Sequence, residues 1–384
     1  MKKNNEWPGI DEVRSSVNDK DRIKRILPGL FHFSLPLIVW MASLVGIIFA
    51  PWWAKIILGL VNGHAIGVML IIGHDALHGI LFPKRWMNRL AGRISMAPAF
   101  HPVTSWVHSH NGLHHGFTNI KGKDAGFPPL NLQEYRELSF LGKISCRISR
   151  SWYGCGWLYI TEMWFKWEFF PNASRAPKNP KAFLRDRLQL FGLFVAWISL
   201  LIWSAFALGE NPFFMVACGF ILPQFVSNYF IGFITLQQHT HPKVAWYSEL
   251  DSPSPAFFQA QLHGAPHLVF PYFLRVVMRN VMEHTVHHAD PAVPLYCLPE
   301  AQKSLEHSFG NDIIQEYWTP IGFFRSTCIC KLYDYSTHQW IGYDGKPLTE
   351  SLYERYLLET KVDELQSVAN SVQLRLMKIS SKTS

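Results

Sequence analysis

Residues 56–78 read I-I-L-G-L-V-N-G-H-A-I-G-V-M-L-I-I-G-H-D-A-L-H, an apolar run that ends directly in a histidine pair. The apolar part, 56–73, is interrupted only by N-G-H near its middle and is about long enough to cross a bilayer. His74 and His78 follow at positions i and i+4, which lie on one face of a helix. The stretch predicts a transmembrane helix with paired imidazoles at its exit.

Two further histidine clusters lie downstream. Residues 110–115 read H-N-G-L-H-H, and residues 283–288 read E-H-T-V-H-H. One H-x-x-x-H is expected by chance about once in a chain with this much histidine, whereas two three-histidine patterns are not. In the last cluster the imidazoles occupy positions i, i+3 and i+4, so we expect them to converge on one point from one helix face. Together the clusters predict a metal site.

Composition indicates membrane association. Of the 384 residues, 48% are hydrophobic and 15% aromatic, and only 17% are charged, below the usual quarter. We therefore predict an all-α integral membrane protein with four transmembrane helices, interfacial helices and a cytoplasmic histidine-rich cap. The predicted spans are residues 30–50, 56–73, 188–208 and 213–236. The predicted interfacial helices are 152–170 and 268–282.

The distribution of Lys and Arg predicts the topology. Basic residues crowd the N-terminal lead-in, 1–29, and the segment after the second span, but the turns after the first and third spans hold almost none. Because Lys and Arg mark the cytoplasmic side, both termini and all three clusters are expected there. The membrane domain is predicted at 30–345, followed by a cytoplasmic tail, 346–384, with a helix at 352–377. We attribute the net charge of +8 to basic residues on the cytoplasmic side of the membrane spans, since the sequence contains no recognisable nucleic-acid-binding module.

The histidine count limits the kind of metal centre. Imidazole suits iron, zinc, copper and nickel, but eight clustered histidines exceed the demand of one zinc and fit two metals with open positions. The chain has no H-E-x-x-H of a zinc hydrolase and no C-x-x-C pair. A non-catalytic metal transporter remains an alternative, although it would place its histidines within spans rather than at their exits.

At these residues the sequence resembles the integral-membrane fatty acid desaturases. That family carries the boxes H-x-x-x-(x)-H, H-x-x-(x)-H-H and H-x-x-H-H around four spans. The resemblance extends to T-N-I-K-G-K-D at 118–124, L-Q-Q-H-T-H-P at 236–242, P-L-Y-C-L-P-E-A at 294–301 and K-L-Y-D-Y-S-T-H-Q-W at 331–340. It covers residues 55–345 and is strongest to the omega-6, oleate-type members.

The resemblance implies an enzyme with two iron ions that uses O2 to desaturate a fatty acyl chain. The acyl group would be linked to lipid, coenzyme A or a carrier protein, and the electrons would come from an external ferredoxin or small b-type cytochrome. Some relatives are hydroxylases, acetylenases or carotenoid ketolases, so those reactions remain alternatives. The implied iron ligands are His74, His78, His110, His114, His115, His239, His284, His287 and His288.

Several other residues have weaker assignments. His241 competes with His239 for the ligand contributed at the exit of the fourth span. Asp75 and Glu283 are expected to orient the second ring nitrogen of a ligand. Five other histidines lie outside the three boxes. His64, inside the second span, is expected to be functional or to bond a neighbouring helix. His108 is expected to be accessory, His263 and His267 to line the site or bond backbone carbonyls, and His338 to lie in the cytosolic tail.

Overall fold

Four long apolar helices form the frame of the computed structural model, which describes residues 7–249, 251 and 257–352. Each is long and apolar enough to cross a membrane, which confirms the four predicted spans. Each begins and ends within a few residues of its prediction, except that the third starts eight residues earlier. They are Ile26–Phe49 (α2), Trp52–Leu77 (α3), Pro180–Leu208 (α9) and Pro212–His239, the last comprising Pro212–Val216 (α10), a π-helical turn Ala217–Ile221 and Leu222–His239 (α11).

Shorter elements connect and cover the spans. The remaining helices are Ile10–Ser15 (α1), Arg85–Met96 (α4), Val103–Trp106 (α5), Leu132–Glu137 (α6), Phe140–Ser149 (α7), Cys155–Leu158 (α8), Tyr272–Val277 (α12), His284–Ala289 (α13), Leu298–Phe309 (α14) and Pro320–Ile329 (α15). π-Helices continue α5 as Val107–His114 and α8 as Tyr159–Phe169, and a third spans Gln259–His263; Asp19–Arg22 is a 3-10 turn. The strands are His267–Val269 (β1) and Gln315–Tyr317 (β2), which pair in parallel, and Leu332–Asp334 (β3) and Gln339–Ile341 (β4), which pair antiparallel.

The second span, α3, lies at the centre of the bundle, and glycines bring it close to the fourth span. A Cβ placed on Gly63 would lie 2.5 Å from the carbonyl oxygen of Pro223, and one on Gly59 would lie 2.7 Å from that of Cys218. Small residues allow such backbone approach between membrane helices. The close packing fixes the exits of α3 and α11, where His74 and His239 lie, side by side.

A buried lysine joins the ends of the spans that lie away from the histidines. Lys55 is 2% exposed, and its ammonium donates to the carbonyl oxygens of Ile47 (2.7 Å) and Ile48 (3.0 Å) at the end of α2. It also pairs with the Glu210 carboxylate at 2.8 Å in the turn after α9. The ammonium thus satisfies helix-terminal carbonyls and links the two hairpin turns.

One predicted interfacial helix differs from the structure. Residues 268–282 contain the end of β1 and the six-residue α12, because Pro271 interrupts the run. The basic N-terminal lead-in packs near α13: Val13 and Val17 are buried, and Arg22 donates at 2.6 Å to Asp290, the residue after α13. The predicted helix 352–377 lies outside the described residues beyond Leu352.

Candidate metal centre

The predicted ligands come from the ends of four elements. His74 lies in the last turn of α3 with His78 just after it, and His239 is the last residue of α11. The second box lies on the π-helix that continues α5, and the third forms α13. The fold thus brings all nine predicted histidines together.

The nine imidazoles form two adjoining clusters. Within each cluster every histidine offers one ring nitrogen, and these nitrogens all lie within 4.8 Å of one another. The five-histidine cluster consists of His74, His78, His110, His115 and His287. The four-histidine cluster consists of His114, His239, His284 and His288. Two sets of converging nitrogens match the ligand demand of two metal ions rather than one.

The histidines of one box do not all belong to one cluster. The prediction that the three histidines of the third box converge on one point is therefore wrong. On α13, His284 and His288 belong to the four-histidine cluster, whereas His287 belongs to the five-histidine cluster. The short helix lies between the clusters, and its i+3 position faces the other one. On the π-helix His110 joins His115, five residues on, because the widened turn bonds residues i and i+5.

Carboxylates orient two of the rings. The Nδ1 atom of His74 lies 3.1 Å from Asp75, as expected from the sequence, and Asp75 also accepts from the backbone N–H of Leu295 at 2.6 Å. The Nδ1 atom of His114 lies 2.7 Å from Asp124, which is fully buried. An ionised carboxylate only accepts hydrogen bonds, so Nδ1 of each ring donates to it, and Nε2 is the atom that would bind a metal ion.

Neutral acceptors orient two more rings, so that their other nitrogens face His284. Nδ1 of His239 donates to the Gly264 carbonyl oxygen at 3.0 Å, and Nδ1 of His288 donates to Gln261 Oε1 at 2.8 Å. Their Nε2 atoms are therefore unprotonated, yet both face Nε2 of His284, at 3.0 and 2.9 Å. Nε2 of His284 carries at most one proton, so it can donate to only one of these two nitrogens. The lone pair of the other nitrogen then repels it. A metal ion between these nitrogens removes the repulsion.

Burial keeps the other imidazoles in the form that binds metal. Desolvation, followed by the neighbouring imidazoles, holds the pKa values of the ligands that lie outside the spans well below the ordinary 6.5; this applies to His78, His110, His115, His284, His287 and His288. Metal coordination requires neutral imidazole, so no proton has to be displaced at neutral pH.

Glu283 and the competing histidine His241 lie outside both clusters. Glu283 was expected beside a ligand ring, but it pairs with His267 at 2.6 Å and with Arg275 at 3.5 Å. It precedes the first turn of α13 with non-helical dihedral angles, which turn its side chain away from the ring nitrogens. His241 lies 3.3 Å from Glu316.

Other histidines pack elsewhere in the described part of the chain. His64 lies against Phe230, and His263 against Trp7 and Phe258. His338 does not lie in an exposed tail: it is 3% exposed, and its ring bonds the Trp246 carbonyl oxygen at 3.0 Å. His108 belongs to neither histidine cluster.

An apolar cavity of about 100 Å³ opens onto both clusters. Its lining includes His74 and His110 from one cluster, His114, His239 and His284 from the other, and aliphatic side chains from the second and fourth spans. Those aliphatic residues are Leu70, Ile71, Ile231 and Ile234. A cavity with such walls suits an unbranched hydrocarbon held against the metal centre.

One acid lines this cavity. Glu168 is 7% exposed, and Ser109 donates to it at 2.6 Å; burial raises its carboxyl pKa to about 7, against the hydrogen bonds from Ser109 and Ser105. Sequence reasoning missed Glu168, and it also missed Asp124, Gln261 and Gly264 as partners of the ligands. For Asp124 a signal existed, since it ends the T-N-I-K-G-K-D segment of the resemblance.

The comparisons with known proteins agree with this geometry. Residues 50–319 match the family model described as fatty acid desaturase. The chain is 24% identical over 290 residues to an omega-6 fatty acid desaturase, chloroplastic, of Glycine max, covering 74% of this chain and 64% of that protein. It is 26% identical over 301 residues (76% and 79%) to an sn-1 oleoyl-lipid 12-desaturase of Synechocystis, and 24% identical over 329 residues (83% and 90%) to one of Picosynechococcus.

Proposed function

The chain belongs to the fatty acid desaturase family, and from that premise we propose that it is an O2-dependent di-iron enzyme that introduces a double bond into a membrane-associated acyl chain. The observation that carries the proposal is the apolar cavity bounded by both histidine clusters. The similarity to an omega-6 fatty acid desaturase and to sn-1 oleoyl-lipid 12-desaturases supports an acyl substrate.

Each cluster holds one iron ion in this proposal. One is bound by the five-histidine cluster and the other by the four-histidine cluster, with Asp75 and Asp124 fixing two of the rings. The unprotonated nitrogens that face one another at His284 support metal occupancy. When bound, two irons supply the O2-dependent oxidising power that breaking an unactivated methylene C–H bond requires, since side-chain acids and bases cannot break it.

The protein's own residues position the substrate and exclude water. Leu70 and Ile71 on α3 and Ile231 and Ile234 on α11 line the cavity, and their packing sets which methylene lies beside the ligands. Trp106 stacks on His110 with ring centroids 4.5 Å apart, and this contact holds a ligand ring and closes one side of the cavity.

We further propose that both termini and the centre lie on the cytoplasmic side, where an external ferredoxin or small b-type cytochrome delivers the electrons. The sequence itself carries no H-P-G-G haem motif and no ferredoxin cysteine set. Reporter fusions after Ser384 and within the 209–212 turn test this topology. Opposite sides are expected, and the same side for both contradicts the proposal.

Product analysis tests the function. The chain is expressed in a host whose saturated and monounsaturated lipids are known, and fatty acids are profiled by gas chromatography. A new unsaturated fatty acid is expected, and it should vanish in the His284→Ala variant. A hydroxylated or ketonated product instead would favour the alternative reaction of the same centre, and an unchanged profile with well-inserted protein would contradict the enzyme proposal.

A further inference from the structure

Three cations gather where α7 ends and β3 begins. Arg150 is 2% exposed, and one of its terminal nitrogens donates to the Phe127 carbonyl oxygen at 3.0 Å while the guanidinium lies 3.7 Å from the centre of the Phe127 ring. Lys331 donates to the Arg150 carbonyl oxygen at 3.2 Å. Arg147, one turn earlier on α7, lies over the ring of Tyr343 at 5.0 Å.

Within residues 7–249, 251 and 257–352, none of these cations forms an ion pair with a carboxylate. The main electrostatic neighbours of Arg150 are cysteines and tyrosines, and those of Lys331 are cysteines and Arg150; no carboxylate is among them. A buried charge without a counter-charge is costly, and contact with one aromatic ring offsets only a small part of that cost. Arginine stays charged even when buried, so this position calls for an anion.

Three buried donor groups of these residues and their neighbours have no hydrogen-bond partner among the described residues. The second terminal nitrogen of Arg150, Nη1, is buried and has no hydrogen-bond partner among the described residues. The same holds for the hydroxyl groups of Ser149, the preceding residue, and Tyr343. Buried donors are nearly always paired in folded proteins, and three orphans beside three cations match the acceptor-rich oxygens of a phosphate.

The location places this cluster between the membrane surface and the cavity. Phe140 and Leu141 on α7 are 76% and 74% exposed, and Trp152 and Tyr153 just after Arg150 are 47% and 59% exposed, as side chains at a membrane interface are. On the other side, Phe127, on which the guanidinium stacks, lines the cavity of the metal centre. An acyl chain that enters the cavity there leaves its polar end beside Arg150.

We propose that Arg147, Arg150 and Lys331, with the hydroxyls of Ser149 and Tyr343, bind the phosphate of a glycerophospholipid whose acyl chain occupies the histidine-lined cavity. Phosphate binding is argued from the unpaired cations and the donors without partners, whereas the identification of the lipid as substrate rests on the proposed function. Arg147 is exposed and Lys331 and Tyr343 are partly exposed, so in this proposal the phosphate reaches the buried Arg150 from their side.

Binding to the full-length, metal-loaded protein in detergent tests the proposal without an activity readout. Thermal unfolding is followed while three probes are titrated: a short-chain phosphatidylglycerol, the diacylglycerol with the same chains, and inorganic phosphate. The phosphatidylglycerol is expected to raise the unfolding midpoint saturably, and the diacylglycerol to raise it much less. An equal response to inorganic phosphate alone would overturn the lipid assignment, and an equal response to diacylglycerol would overturn the phosphate site.

Variants locate the binding. Arg150→Met, Lys331→Gln and Tyr343→Phe should each weaken phosphatidylglycerol binding, by about tenfold or more where a charge is lost, and the latter two avoid the buried position should Arg150→Met fold poorly. Arg325→Gln on the exposed face of α15 removes the same charge without touching the cluster and should bind normally. Wild-type affinity in both Lys331→Gln and Tyr343→Phe would overturn the proposal while leaving the proposed desaturase activity untouched.

Discussion

The Nδ1 atom of His114 lies 2.7 Å from the Oδ1 atom of Asp124, ten residues along the chain. The same carboxylate accepts the backbone N–H groups of Asn119 and Gly126, each at 2.6 Å. Asn119 takes a positive φ of 59°, which turns the chain around the carboxylate. The loop therefore wraps a fully buried acid whose free acceptor capacity is used to orient one ligand ring.

Replacing Asp124 tests this orienting role. Asp124→Asn keeps the size of the side chain but removes the charge and presents an amide that can donate toward Nδ1. We expect the affinity of the centre for iron to fall about 10–100-fold, as it does when outer partners of metal-bound histidine are lost. The measurement is iron retained per chain during dialysis against a chelator. Asp11→Asn, at an exposed position on α1, is the control, and equal iron retention in the two variants would show that Asp124 is not a support of the metal.

Replacing His287 tests the ligand set through product formation. His287 contributes to the five-histidine cluster from the box that is least likely to arise by chance. His287→Ala should abolish the unsaturated product while the protein still inserts, because apolar spans hold the bundle without metal. His307→Ala, exposed on α14, is the control and should keep its activity; the buried His338 is unsuited to that purpose. Wild-type product from inserted His287→Ala protein would contradict the ligand assignment.

The His267 ion pairs predict a pH dependence of stability. Burial lowers the pKa of this imidazole, but hydrogen bonds to the Glu283 and Glu306 carboxylates outweigh burial and raise it to about 9. Because the folded pKa lies above the unfolded value of 6.5, the stabilisation is complete below pH 6.5 and is lost as pH rises through 9. It amounts to roughly 3 kcal/mol, at 1.36 kcal/mol per pKa unit. The measurement is the thermal unfolding midpoint between pH 6 and pH 10 (roughly the titration window).

Glu306→Gln should shift that loss of stability to lower pH, since one of the two carboxylates that favour the imidazolium is gone. Glu300→Gln is the matched control, because Glu300 lies on the same helix, α14, and pairs with the exposed Lys303 at 2.9 Å. An identical pH profile for Glu306→Gln and Glu300→Gln would mean that His267 does not carry the predicted charge.

Lys55 should stabilise the bundle without affecting the centre. Lys55→Met leaves the Glu210 carboxylate and two helix-terminal carbonyl oxygens unpaired. The loss should be about 1–3 kcal/mol, below the value for a fully buried ion pair because Glu210 is partly exposed. Thermal unfolding should occur at lower temperature with unchanged iron content. Lys181→Met, exposed at the start of α9, should unfold like the wild type, and an equal midpoint for both variants would contradict the role of Lys55.

The spans and the gathering of the histidines follow from local patterns. Hydropathy identifies each span because every backbone group in a bilayer must bond within its own helix, so a long apolar run has one stable structure there. Residues 56–78 carry both signals, a span and the first box, in one continuous stretch. The histidine spacing then locates the candidate site.

The division of the histidines into two clusters depends on features that spacing does not encode. The π-helix at Val107–His114 pairs His110 with His115, where α-helical spacing would pair it with His114. Gln261 reaches His288 from another segment, and Glu283 turns away from the ligands at the start of α13. These contacts are set by tertiary packing between segments distant in sequence, which residue spacing in a single sequence does not reveal.

The iron content of the protein tests the central claim most directly. Full-length protein is purified from iron-replete cells, and metal is counted per chain for the wild type and for His287→Ala and His284→Ala, which remove one ligand from each cluster. The account predicts two irons per wild-type chain and a loss of iron in each variant. One iron or none in active wild-type protein, or two irons retained in both variants, would contradict a centre built from two histidine clusters.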